Sequence, residues 1–176
     1  MTFILGGARS GKSRFALEQG GHIPGRRRFV ATAQPIDDEM RERIARHREE
    51  RGAAWETIEE PFQLGACLSG LEGKAEVVVV DCVTVWLGNL LCAQNAPIDH
   101  ARSADSVEGP MQTFLECLPT LSYPLIVVSN EVGGGLIPET PLGRRFRELA
   151  GVFNQQLARV ARDVYWMVAG LPQKIK

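Results

Sequence analysis

The sequence predicts an α/β domain of three layers, with helices on both faces of a mainly parallel central sheet, on three observations. Short apolar runs alternate with helix-compatible stretches along most of the 176 residues. The runs Val77-Val78-Val79-Val80 and Leu125-Ile126-Val127-Val128 are apolar without alternation, the pattern of a strand covered on both faces. The first run, Phe3-Ile4-Leu5, leads straight into Gly6-Gly7-Ala8-Arg9-Ser10-Gly11-Lys12-Ser13, which fits G-x-x-x-x-G-K-[ST] at every specified position.

A helix-compatible stretch, Arg14 to Gln19, follows this loop, so the strand–loop–helix context the motif requires is present. Gly6, Gly7 and Gly11 let the backbone curl until successive N–H groups point inward at an anion. The helix that opens near Lys12 brings its positive dipole end to the same spot. Lys12 supplies an ammonium for the terminal phosphates, and the Ser13 hydroxyl can join the shell of a Mg²⁺ ion. The plainer reading, a glycine-rich turn that happens to precede Lys-Ser, leaves that context unexplained. The expectation is a P-loop NTPase domain (RecA-like), one nucleotide-binding domain over residues 1–176.

The remaining elements follow in order. Arg26-Arg27-Arg28, after a Pro-Gly turn, reads as a solvated loop, and Phe29-Val30-Ala31-Thr32 as a second strand. Asp37 to Arg51 reads as a helix, with acidic residues at its start, basic ones later and Gly52 as its stop. Its apolar stripe is thin: Met40 and Ile44, with His47 next on the same face. Trp55 to Glu59 alternates like a strand, and Pro61 to Leu71 reads as a short helix. Val77 to Val80 ends in Asp81, an acidic residue where open α/β sheets bind ligands. Val83 to Leu91 reads as helix, Asn95 to Pro110 as loop, and Met111 to Leu118 as helix. Leu125 to Ser129 runs into Asn130-Glu131-Val132-Gly133-Gly134-Gly135, which stand at the ligand edge of the sheet or form a plain flexible loop. A long helix is expected from Pro141 to Asp163, with Phe146, Leu149, Phe153, Leu157 and Val160 on one face, and Val164 to Val168 as the final strand.

Net charge is −1, so no nucleic acid and no anionic membrane surface is expected as partner. Cys67, Cys82, Cys92 and Cys117 form no C-x-x-C pair and read as reduced thiols, mostly in the core, of a cytoplasmic protein. No apolar stretch reaches membrane-spanning length, and a strand at the first residues leaves no room for a signal peptide. Asp81 is followed by Cys82-Val83-Thr84 rather than the D-x-x-G of a GTPase switch, and no N-K-x-D or L-S-G-G-Q is present. A small-molecule kinase or nucleotidyl transferase remains, with a nucleotide-responsive binding module as the non-enzymatic rival.

Several blocks carry a closer resemblance. They are Gly6 to Ser13, Ala31-Thr32-Ala33, Arg43-Ile44 through His47 to Arg51, and Trp55 to Glu59. Further on come Val80 to Leu87 with Asn89-Leu90-Leu91, Ser129 to Gly133, Gly151, Asn154-Gln155 and Ala169-Gly170-Leu171-Pro172. In these the chain resembles the bifunctional adenosylcobinamide kinase / adenosylcobinamide-phosphate guanylyltransferases of cobalamin biosynthesis. Phe29, where an aromatic hydroxyl is usual, and the stretch 95–112 depart from the pattern.

The resemblance implies two reactions. A nucleoside triphosphate, ATP or GTP, phosphorylates adenosylcobinamide. GTP then gives GMP to adenosylcobinamide phosphate through a histidine, releasing pyrophosphate. His47 is the matching position. A neutral imidazole is a competent nitrogen nucleophile near pH 7, although read without the family a histidine at the buried edge of a helix is the favoured account. Arg46, Arg48 and Arg51 supply positive charge beside it. By resemblance Ala31, Thr32 and Ala33 line the nucleotide site, and Arg48, Glu49, Glu50, Arg51 and Glu59 contact the guanosine part of GTP. Asp81 is the partner of Ser13 for Mg²⁺, or an N-cap, or both. Arg144, Arg145 and Arg147 read as a solvent-facing helix start rather than a lid. The resemblance also implies a homotrimer. A single-activity kinase with an inert His47 stays open.

Overall fold

The computed structural model of the chain describes residues 1–95 and 107–176. Strands β1 (Thr2–Gly6), β2 (Arg27–Ala31), β3 (Glu56–Glu59), β4 (Val77–Asp81), β5 (Leu125–Asn130), β6 (Asp163–Val168) and β7 (Leu171–Lys174) form one sheet in the order β3-β2-β4-β5-β1-β6-β7. All pairings are parallel except β6 with β7. The helices are α1 (Lys12–Gly21), α2 (Asp38–Arg51), α3 (Leu64–Ser69), α4 (Val83–Asn95), α5 (Glu108–Cys117) and α6 (Pro141–Val160).

Successive strand residues point to opposite faces, and the two cores divide on that alternation. Phe3, Val78, Val80, Leu125, Val127 and Val164 join Trp86, Phe114, Phe153 and Leu157 from the helices on one face. Ile4, Val77, Val79, Ile126, Val128 and Met167 join Phe15, Ala16 and Trp55 on the other. This is the expected three-layer arrangement. Rings of Trp86, Phe114 and Phe153 stand 5.7 to 5.8 Å apart in the larger core.

Several boundaries differ from the expectations. Arg26-Arg27-Arg28 is not a solvated loop. Arg27 and Arg28 open β2, Arg27 donates to the carbonyls of Gly21 and Ile23, and Arg28 pairs with Glu56. Arg26 grips Glu76 and the Gly73 carbonyl. Glu56, Gly73 and Glu76 are remote in sequence from these arginines, so composition alone could not assign them. Asn95 closes α4 and Glu108 opens α5, which shortens the expected loop from both ends; residues 96–106, His100 among them, lie outside the described residues. The long helix stops at Val160 because Ala161 is extended, and Val160 faces solvent at 58% exposure rather than the core. Asp163 begins β6 instead. β6 is not the last strand, since Ala169 and Gly170, both at positive φ, turn the chain into β7. Of the four cysteines, all free, Cys82 and Cys117 are buried, Cys67 is half-buried and Cys92 is exposed. Among the described residues no helix is long and apolar enough to cross a membrane.

Candidate functional site

The loop after β1 has the backbone the glycines were expected to permit. Gly11 sits at φ 94° as the residue before α1, a region that L side chains rarely adopt. At Gly6 a Cβ would stand 2.6 Å from the carbonyl oxygen of Met167, so β6 packs directly against the loop. The turn between β6 and β7 adds a tie, with Gly170 N–H donating to the Ser10 carbonyl at 3.0 Å. Lys12 is buried, its ammonium donating to the Gly7 carbonyl at 2.5 Å and to Ser10 Oγ at 3.4 Å. Burial lowers the Lys12 pKa; the nearby Cys82 and Asp81 act against this, and Arg43 adds to it.

An open cleft, about 660 Å³ with the solvent at its mouth counted, extends from this loop to α2. Ser13 borders it from α1, Ala31 and Ala33 from the end of β2, and Asp81 and Cys82 from the end of β4. The wall opposite is α2, which presents Met40, Arg43, Ile44, His47 and Arg51 at helical spacing. Thr57 and Glu59 of β3, Phe29 of β2 and Val85 of α4 complete it. Ser13 and Asp81, a hydroxyl and a carboxylate, are the oxygen donors Mg²⁺ takes. The described residues hold no cluster of three or more His, Cys, Asp or Glu. A metal here would therefore draw its remaining ligands from phosphate and water.

Asp37 caps α2 by accepting the Met40 N–H at 2.7 Å, and Gly52 at φ 62° ends it, as the sequence led one to expect. His47 Nδ1 lies 3.1 Å from Glu50 Oε2. Arg51 is 8% exposed, with its guanidinium carbon 4.1 Å from the centre of the Phe29 ring and its Nε without a partner among the described residues. Desolvation lowers its pKa.

The structure separates the implied contact residues. Arg51, Glu59, Ala31 and Ala33 border the cleft with His47. Thr32 does not: it is fully buried, and its hydroxyl donates to the Cys82 carbonyl at 2.8 Å and accepts the Cys82 N–H at 2.9 Å. Thr32 thus shapes the floor beneath Asp81. Arg48 pairs with Glu59, Glu50 with His47, and Glu49 is an exposed residue outside the lining. Arg46 also stands off the cleft, and Arg43 takes the place expected of it. Sequence reasoning passed over Arg43 and Phe29. The signal for Arg43 was its spacing of four from His47; that for Phe29 needed the tertiary contact with Arg51. Asn130 ends β5 beside Gly6, and Glu131 N–H donates to the Gly6 carbonyl at 3.0 Å, so this loop adjoins the phosphate loop. Arg144 and Arg147 are spent on the carbonyls of that loop, among them Pro138 at 3.0 Å and Leu136 at 3.0 Å.

Comparison with known proteins gives the family and the fold. Residues 2–175 match the sequence pattern of the family described as cobinamide kinase / cobinamide phosphate guanyltransferase. The chain is 41% identical over 173 residues to the bifunctional adenosylcobalamin biosynthesis protein CobP of Pseudomonas aeruginosa, covering 98% of this chain and 95% of that protein. It is 36% identical over 181 residues to the bifunctional adenosylcobalamin biosynthesis protein CobU of Salmonella typhimurium, covering 100% and 99%. Among solved structures, an ATPase from the type III secretion system of pathogenic bacteria superposes with TM-score 0.53 at 13% identity, over 94% of this chain and 50% of that one. That likeness concerns the fold alone.

Proposed function

The chain belongs to the cobinamide kinase / cobinamide phosphate guanyltransferase family, and from that membership we propose that one cleft of a single domain serves both transfers. The protein is a bifunctional enzyme of cobalamin biosynthesis. In the first step ATP or GTP phosphorylates the aminopropanol hydroxyl of adenosylcobinamide. In the second, GTP gives GMP to adenosylcobinamide phosphate by way of His47, yielding adenosylcobinamide-GDP and pyrophosphate. The observation that carries this reading is that His47 borders the same cleft as Ser13 and Asp81.

With Glu50 accepting the Nδ1 proton, a neutral His47 keeps its lone pair on Nε2. Nε2 forms the bond to the α-phosphorus of GTP, the α–β bridging P–O bond breaks, and its electron pair leaves with pyrophosphate. A phosphate oxygen of the corrinoid then bonds to the same phosphorus, the P–N bond breaks, and the lone pair returns to Nε2. Lys12 and the backbone N–H groups of Gly6, Gly7, Ala8, Arg9, Ser10 and Gly11 hold the outer phosphates in both steps. Ser13 and Asp81 would hold Mg²⁺, which when bound offsets phosphate charge. Arg51 and Glu59 contact the guanosine part together with Ala31 and Ala33. Assembly as a homotrimer in the cytoplasm belongs to the same reading.

Incubation with α-labelled GTP and Mg²⁺, then denaturing electrophoresis, tests it. The expected result is an acid-labile, alkali-stable label on the wild type that is absent from His47→Ala, while the variant still binds GTP. No label on a wild type that binds GTP leaves a simple kinase.

A further inference from the structure

Among the charged groups that border the cleft, Arg43 has no role in the chemistry described so far. It lies one turn before His47 on the same face of α2, and Arg51 lies one turn after. Glu59 is taken by Arg48, and Asp81 stands with Ser13 at the metal-binding end. Arg43 itself makes no hydrogen bond or ion pair with any described residue. Lys12, on the phosphate loop, stands directly before Ser13, which borders the same cleft. Two cations brought together across a cleft repel, and the arrangement becomes favourable only when a polyanion lies between them.

We propose that Arg43 is the second cation of the polyphosphate site, binding the β- and γ-phosphates of the GTP whose α-phosphate His47 attacks and taking up the charge of the departing pyrophosphate. This rests on the guanylyl-transfer reading above. A triphosphate carries more negative charge than one magnesium ion and one lysine neutralise. When the α–β bond breaks, further negative charge collects on the β-phosphate, which Arg43 and Lys12 would meet from opposite sides. A guanidinium suits that position because its planar fork can engage two phosphate oxygens at once. Arg43 and His47 share one rigid helix turn, so placing the nucleophile and placing this cation are a single event. Arg46 and Arg48, nearer in sequence to His47, are turned away or engaged elsewhere.

Two measurements on the full chain decide it: titration calorimetry with magnesium pyrophosphate as the probe, and the single-turnover rate of labelling by α-labelled GTP. Arg43→Ala should bind pyrophosphate about 10-fold more weakly and label on the order of 100-fold more slowly, the scale of losing one charge-stabilising donor. Arg43→Lys should recover part of both. Arg41→Ala removes the same charge from the same helix at a position that does not border the cleft, where Arg41 pairs with Asp38, and it should match the wild type. Equal pyrophosphate binding and equal labelling in Arg43→Ala overturn the proposal and leave the role of His47 intact. An equal loss in Arg41→Ala overturns it as well, because the effect would then be one of net charge. If the wild type takes no label while Arg43→Ala still loses pyrophosphate binding, the polyphosphate contact stands and the reading of His47 fails.

Discussion

Cys82 follows Asp81 at the floor of the cleft, yet burial leaves its thiol without nucleophilic character. Desolvation, helped by the Asp81 charge, pushes its pKa up to about 12, and burial raises those of Cys67 and Cys117 to about 11. In the unfolded chain these thiols ionise near 9.0. The folded state therefore holds their protons longer, so the stability they contribute is complete below pH 9 and is lost as pH rises through 11 to 12. Lys12, with its pKa lowered by burial, pulls the other way. The unfolding free energy from guanidinium chloride titration should fall between pH 9 and 10.5, by about 1.4 kcal/mol per pH unit for each thiol still protonated only in the folded state. Cys82→Ala should flatten that fall by one proton's worth. At this scale the sequence is an uneven guide. The phosphate loop was legible because its chemistry is local in the chain. The choice of Arg43 over Arg46 was written in its spacing of four from His47, whereas the removal of Thr32 from the cleft depends on its hydrogen bonds to Cys82, fifty residues away, which no local pattern encodes.

At the scale of elements, α2 is the one whose stability bears most directly on the proposed chemistry. Arg51 is its only buried residue, so the apolar burial that normally anchors a helix is nearly absent. The helix is held instead by the Asp37 cap, the stop at Gly52, the Arg48–Glu59 pair and the stacking of Arg51 on Phe29. Asp37→Ala should cost about 1 kcal/mol of helix stability, the usual worth of such a cap. Because that cost falls on a segment able to open by itself, amide exchange in residues 40–46 should speed up several-fold while β4 is unaffected. Equal acceleration in both would mean that α2 opens only with the whole molecule. The helix itself was readable from its acidic start, basic end and terminal glycine. Its poverty of core contacts was readable too, as the thin stripe of Met40 and Ile44. The edge strand β7 was not, since Leu171-Pro172-Gln173-Lys174 has no alternation and every residue in it is exposed.

Across the whole molecule, the sheet order joins distant parts of the chain around the phosphate loop. The phosphate-loop strand β1 lies between β5 and β6, and the turn at Ala169-Gly170 closes over Ser10. Gly170, at φ 83°, accepts no β-branched residue without strain, at about 1 to 3 kcal/mol. Gly170→Val should therefore weaken GTP binding about 10-fold or more through the lost support of the loop, with a cost of this size in overall stability. Unchanged GTP affinity in a folded Gly170→Val protein would separate the hairpin from the phosphate loop. The parallel core of the sheet was legible in the uninterrupted valine and isoleucine runs, whereas strand order is a property of long-range packing and was not.

The interposition of β1 also bears on how the chain is made. β1 is synthesised before both strands it pairs with, which follow some 120 to 160 residues later, from Ile126 to Asn130 and from Asp163 to Met167. Until those segments emerge, Phe3 and Ile4 have no sheet to enter, and the glycine-rich loop behind them has nothing to hold its shape. Pairings this distant close slowly. A ribosome paused before the codon for Asp163 would carry a nascent chain that holds the whole phosphate-binding motif and cannot yet retain a nucleotide.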